Sequence, residues 1–163
     1  MLAQAAPDKV LRELSLTEAK SIVADVGGRV DSVDAKGDEF LIEATLPGDM
    51  PVEFKGENCT GANAALLCQE YEFTIGFDAK SAEVAQQFDR ERQVEFVADG
   101  TVGSSYLIWR MGFLYGGVTR TYIMNELLET ADIGWSIAAI FPYRDPSLRP
   151  KGPKPADSGR LLP

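Results

Sequence analysis

The stretch LLCQEYEFTIGF, Leu66 to Phe77, constrains this chain more than any other. On an extended backbone Tyr71, Phe73, Ile75 and Phe77 point one way, and Glu70, Glu72 and Thr74 the other. A strict period of two describes a strand with one buried and one wet side. Such a strand needs neighbours on its edges and a layer of structure over its apolar face.

The rest of the sequence supplies both. Phe40, Ile42, Ala44 and Leu46 alternate in EFLIEATL, which Lys36-Gly37-Asp38 joins to RVDSVDA as a hairpin. VEFK follows Pro51, and QVEFVA and SSYLIWRMG form a second hairpin around Asp99-Gly100. Three segments read as helices. Ser15 and Glu18 have capping-box spacing, Ala19, Ile22, Val23 and Val26 follow on one face, and Gly27-Gly28 ends the run. Asp78 to Ser81 cap a second helix with Val84, Ala85 and Phe88 on one face. Gly116-Gly117 and Thr119 precede the longest, striped by Ile123, Leu127, Ala131, Gly134, Ala138 and Phe141 and stopped by Pro142. We therefore expect an α+β domain, with an antiparallel sheet of five to six strands, helices on one face, and the order α-ββββ-α-ββ-α.

This domain is expected over residues 15–142, after a flexible segment 1–14. Residues 143–163 hold five basic residues, Arg144, Arg149, Lys151, Lys154 and Arg160, against Asp145 and Asp157. The tail thus carries +3 and the remainder −12, within a net charge of −9. Six of the nine prolines lie from Pro142 onward and no apolar face recurs there, so the tail reads as disordered. An acidic body does not neutralise phosphates, so nucleic acid is not an expected partner. No apolar run approaches the roughly 20 residues that span a bilayer, and no membrane-embedded segment is expected.

The chain contains no histidine, which removes imidazole bases, Ser-His-Asp triads and His-ligated zinc. No phosphate-loop, dinucleotide or calcium-loop motif is present. RMGFLYGGVTR, with Arg120 at a helix start, is the nearest approach to an anion cradle, and a plain strand-to-helix turn accounts for the same glycines. Glu70 and Glu72 could work as paired carboxylates only if one were desolvated; a solvated strand face explains them more simply. Trp109 and Trp135 read as packing residues. No catalytic residue, metal or cofactor is assigned.

Cys59 and Cys68, the two cysteines, flank one turn, GENCTGANAALLC. Eight intervening residues exclude a C-x-x-C motif, whereas neighbouring strands bring such a pair within bridging range. We expect a structural disulfide, worth about 2.5–3 kcal/mol on the chain-entropy argument, and hence an oxidising compartment. LAQAA near the N-terminus resembles the end of an export signal. Periplasmic or secreted protein is the expectation and cytoplasmic the alternative.

A helix ending in Gly-Gly, a hairpin, a cysteine-flanked turn, LLCQEYEFTIGF, FDRERQVEFVADG and GGVTRTYIMNELLETADIGWSIAAI follow one another. This succession resembles the YbjN-like family of bacterial proteins, described as sensory-transduction regulators, from about Leu16 to Phe141. Where that family carries Trp-Asn, this chain has Phe88-Asp89. The resemblance implies the fold of type III secretion chaperones and a non-enzymatic module that acts through a protein partner, with a homodimer left open. A thiol-redox protein using Cys59 and Cys68, or a carboxylate hydrolase, are the alternatives.

Overall fold

The computed structural model of the protein describes residues 8–62, 65–79, 95–99 and 103–140. In chain order these form β1 (Val10–Leu11), β2 (Leu14–Ser15), α1 (Leu16–Asp25), β3 (Arg29–Lys36), β4 (Glu39–Leu46), β5 (Met50–Thr60), β6 (Leu67–Ala79), β7 (Glu95–Asp99), β8 (Gly103–Phe113), β9 (Val118–Thr119) and α2 (Arg120–Ile140). Six strands make an antiparallel sheet in the order β3-β4-β5-β6-β8-β7, and the two-residue β2 pairs with β6 just beyond the end of β8. The protein is α+β. Asp78 and Ala79, expected to begin the cap of a second helix, instead extend β6 and pair with Ser105 and Ser104, because the ladder with β8 continues through them. The remainder of that expected helix, 80–88, lies outside the described residues, as do Gly100 of the expected turn and everything after Ile140.

The strands do not all follow one another in space. Both β6 and β7 pair antiparallel with β8, so they run parallel on either side of it. A purely sequential meander is thus replaced by one crossover between β6 and β7.

The alternating residues take the sides their period demands. Phe40, Ile42, Ala44 and Leu46 of β4, Met50, Val52 and Phe54 of β5, and Tyr71, Phe73 and Ile75 of β6 are buried together. Phe54 packs edge-on against Phe40 and Phe73, with ring centroids 6.3 and 4.7 Å apart. Pro51 is tolerated in β5 because pairing with β6 begins only at Glu53, so no partner there needs its missing N–H.

Both helices pack on this apolar side. In α1, Ser15 accepts a hydrogen bond from the Glu18 backbone N–H at 3.1 Å. Gly27 and Gly28 close its far end by donating to the carbonyls of Ala24 and Val23, the Schellman arrangement. Thr119 Oγ1 caps α2 by accepting from Tyr122 N–H at 3.2 Å. Ile123, Leu127, Ala131 and Gly134 face the core, and Gly134 lies over Met50 and Ile75.

Residues 8–14 correct the expected boundary at residue 15. Val10 and Leu11 pair with Thr119 and Val118, Leu14 is paired opposite Cys68, and the Lys9 carbonyl accepts from Arg120 N–H at 2.7 Å. Leu11 and Leu14 are buried. Only three leucines and valines occur in this stretch, too few to show a period, yet each finds a strand end to extend.

Truncating the central residue of this core is expected to leave a cavity that its neighbours cannot fill. Phe73→Ala should lower unfolding free energy by about 3–5 kcal/mol in a urea titration, whereas Glu72→Ala on the opposite side should change it by well under about 1 kcal/mol. Equal effects would contradict the register.

Candidate functional site

The cysteines sit where β5 and β6 begin to separate. Cys59 and Cys68 are direct cross-strand partners with their sulfurs within bonding distance. The inward alternation changes phase here: Leu66 and Cys68 are buried, then Tyr71, Phe73 and Ile75. On the facing strand Asn58 takes a left-handed φ of 51°, and Cys59 N–H leaves the ladder to donate to the Asp38 carbonyl at 3.0 Å. These two irregularities bring Cys68 to the core side. Its sulfur lies over Gly56, where a Cβ would come within 2.8 Å of Sγ and 2.3 Å of the Phe40 ring. Cys68 is 0% exposed and Cys59 half-buried. A buried sulfur is shielded from attacking thiolates, which favours a staple over an exchanging redox pair.

The nearest approach to an anion cradle, at Arg120, is filled by the protein itself, as a plain strand-to-helix turn allows. The guanidinium donates to Glu18 Oε1 at 2.7 Å and Ser21 Oγ at 3.0 Å, and it pairs with Asp25. Thr121 N–H donates to Asp8 Oδ1 at 3.3 Å, so a carboxylate of this chain occupies the helix N-terminus. Partial burial works to raise the Glu18 pKa, but the hydrogen bonds from Lys9 and Arg120 outweigh it and hold the carboxyl below its usual range. This corner ties α1, α2 and the N-terminal strands together.

The carboxylates of β6 divide in function. Glu70 accepts from Tyr115 Oη at 2.9 Å and from Asn58 Nδ2 at 3.3 Å, and Glu72 from Thr74 Oγ1 at 3.0 Å. A carboxylate that sequence reasoning passed over, Glu126, is more deeply set. It accepts from the phenols of Tyr71 and Tyr122, with Arg110 4.0 Å away and itself paired to Glu129. Burial, then the Glu126 carboxylate, push the Tyr71 pKa well up, so this phenol stays protonated. Gly112 makes the arrangement fit, since a Cβ there would come within 2.1 Å of the Tyr71 ring. An open groove of about 510 Å³ runs past Tyr71, Phe113, Val118 and Tyr122. With both oxygens of Glu126 occupied, the cluster acts as a strut between sheet and helix. Among the described residues, no group of three or more acidic or sulfur side chains is placed to hold a metal ion. None of the described helices is long and apolar enough to cross a membrane.

The face away from the helices is chemically unlike a plain solvated surface. Ile108 is buried, Arg110 reaches α2 and Gly112 covers Tyr71, so the intervening Trp109, Met111 and Phe113 point outward. Trp109 is 37% exposed, and Phe113 and Tyr115 are each 56% exposed. The last two stack, their rings 6.3 Å apart and inclined by 18°. Reading across the strands, Glu43, Glu53 and Thr74 lead to Trp109, then Leu41, Lys55 and Glu72 to Met111, then Glu57 and Glu70 to Phe113. Lys55 is held by Glu39 and Glu57. An apolar column on β8 is thus bordered by acidic columns on β5 and β6. Trp135 is a packing residue, as expected, and Trp109 is not. Its alternation with Met111 and Phe113 was the signal that could have shown this.

Comparison of this chain with protein-family models, curated proteins and solved structures finds no match.

Two outcomes follow from the geometry. Protein unfolded without reductant should give no free thiol to a colorimetric titrant, and two titratable thiols would remove the staple. Because Cys68 is fully buried, replacing both cysteines with Ser should leave a hydroxyl without a partner. That variant should be less stable than the double Ala variant by about 1–3 kcal/mol in denaturant melts.

A depressed carboxyl stabilises the fold above its unfolded pKa, and the contribution disappears as pH falls through its folded pKa. Glu18→Gln should therefore be less stable than the parent at neutral pH. The gap should close as pH falls below about 4.5. A gap that is constant in acid would show that the Lys9 and Arg120 contacts do not set this titration.

Proposed function

We propose that the protein is a non-enzymatic binding or regulatory module that holds a protein partner on the outer face of its sheet. The observation that carries this reading is the column of Trp109, Met111 and Phe113 on β8, continued by Tyr115 in the turn that follows, three of them aromatic and exposed. Aromatic residues fixed on a strand offer large contact area at little conformational cost, the usual make-up of a binding hot spot. The reading accords with the YbjN-like resemblance and its type III secretion chaperone-like fold. With it we propose a native location in the periplasm or outside the cell, which cross-strand cysteines support.

A photo-crosslinking amino acid at Met111 should capture one partner from the native compartment, whereas the same group at Val33, exposed on the sheet-edge strand β3, should not. Phe113→Ser should reduce the Met111 crosslink about tenfold or more, as loss of a hot-spot aromatic does. Equal labelling from both positions would overturn this face as the docking site.

A further inference from the structure

The acidic-bordered aromatic column suits a particular kind of ligand, and this chain contains one. We propose that its own segment Pro142–Pro163 folds back onto the outer sheet face and occupies it until a partner competes. This rests on the reading of that face as a docking surface.

Three arguments support the assignment. The first is chemical. Proline-rich segments in the polyproline II conformation dock on aromatic side chains, because a preformed left-handed helix loses little entropy on binding. With three residues per turn, Pro150 and Pro153 recur along one edge of such a helix and Lys151 and Lys154 along the next. An edge of proline rings beside an edge of ammonium groups matches an aromatic column beside carboxylates.

The second is electrostatic. The segment carries five basic residues against two acidic ones, while the outer face of β4, β5 and β6 carries Glu43, Glu53, Glu57, Glu70 and Glu72 with one basic residue, Lys55, already paired. Charge of opposite sign favours encounter and fixes orientation.

The third is reach. At about 3.1 Å per residue, the 23 residues after Ile140 extend roughly 70 Å, against roughly 40 Å for the longest strand. The segment is long enough to pass round the sheet. Tethering presents it at an effective concentration in the millimolar range, so even a weak site is filled.

The test uses the full chain with Trp135→Phe, which leaves Trp109 as the sole tryptophan. Its quenching by acrylamide, a neutral probe, is compared with that of the same chain carrying Arg149→Glu, Lys151→Glu and Lys154→Glu. The native segment should slow quenching about twofold or more at any protein concentration, as a filled intramolecular site requires. Salt at 1 M, where the Debye length is about 3 Å, should remove the protection. A synthetic peptide of residues 144–157 should restore it to the charge-reversed chain. Should Trp135→Phe disturb the core, the Trp109 indole N–H signal in NMR, with Trp135 retained, gives the same comparison. Equal quenching in both chains overturns the proposal. Protection that grows with concentration alongside a dimer mass also overturns it, since the segment would then be exchanged between copies. Equal quenching with an intact crosslink from Met111 means that tail docking fails while the partner face stands.

Discussion

Strand β6 is hydrogen-bonded along one edge to β5 and along the other to β8 and β2, so no other element has as many dependants. Its side chains must alternate, and Tyr71, Phe73 and Ile75 can be removed from water only if the helices lie on their side. That choice decides which face of every paired strand is inner. Ile108 follows inward opposite Ile75, and Trp109, opposite Thr74, is forced outward. The exposed aromatic column is therefore a consequence of register: one residue of slip in β8 would bury Trp109 and turn Arg110 away from Glu126 and Glu129.

Polar side chains hold the layers together where apolar burial alone would let them slide. Hydrophobic contact is non-directional, so a helix on a sheet needs something that fixes rotation and translation. Glu126 does this in the second turn of α2 by accepting from the Tyr71 phenol of the sheet, and Arg120 does it at the start by joining Glu18, Ser21 and Asp25. The exposed pairs in these networks add little stability. Their geometric role is to define one arrangement of α1, α2 and the N-terminal strands.

The period-two strand, the β3–β4 hairpin, the capping box of α1 and the Thr119 cap of α2 were all legible in the sequence, because each is a local pattern with a local cause. What escaped was non-local. The pairing of Val10-Leu11 and Leu14-Ser15 depends on strand ends far along the chain, and a two-residue strand has no period to read. The capping box was half right: Ser15 accepts from Glu18 N–H, but the Glu18 carboxylate is taken by Arg120, 102 residues away. The phase change at Asn58 and Cys68 was hidden because strict alternation was extended one turn too far. That is why the cysteine pair, expected to flank one turn, has one member inside the core. The strut at Glu126 left no signal in a helix whose other acidic residues are solvated.

Trp109 and Phe113 carry the same kind of side chain as the core but remain in contact with water, a difference of about 25 cal/mol for each Å² of apolar surface left uncovered. Flanking acidic columns offset the risk that such a surface creates, because two copies approaching face to face would bring Glu70 and Glu72 against their own kind. On the docking proposal, the same charges would select a cationic occupant. A face built this way discriminates by sign first and by aromatic contact second, so its ligands should share positive charge and flat or ring-shaped apolar groups. On the tail-docking proposal both requirements are met within residues 142–163, so an outside partner would have to compete with that span for the face.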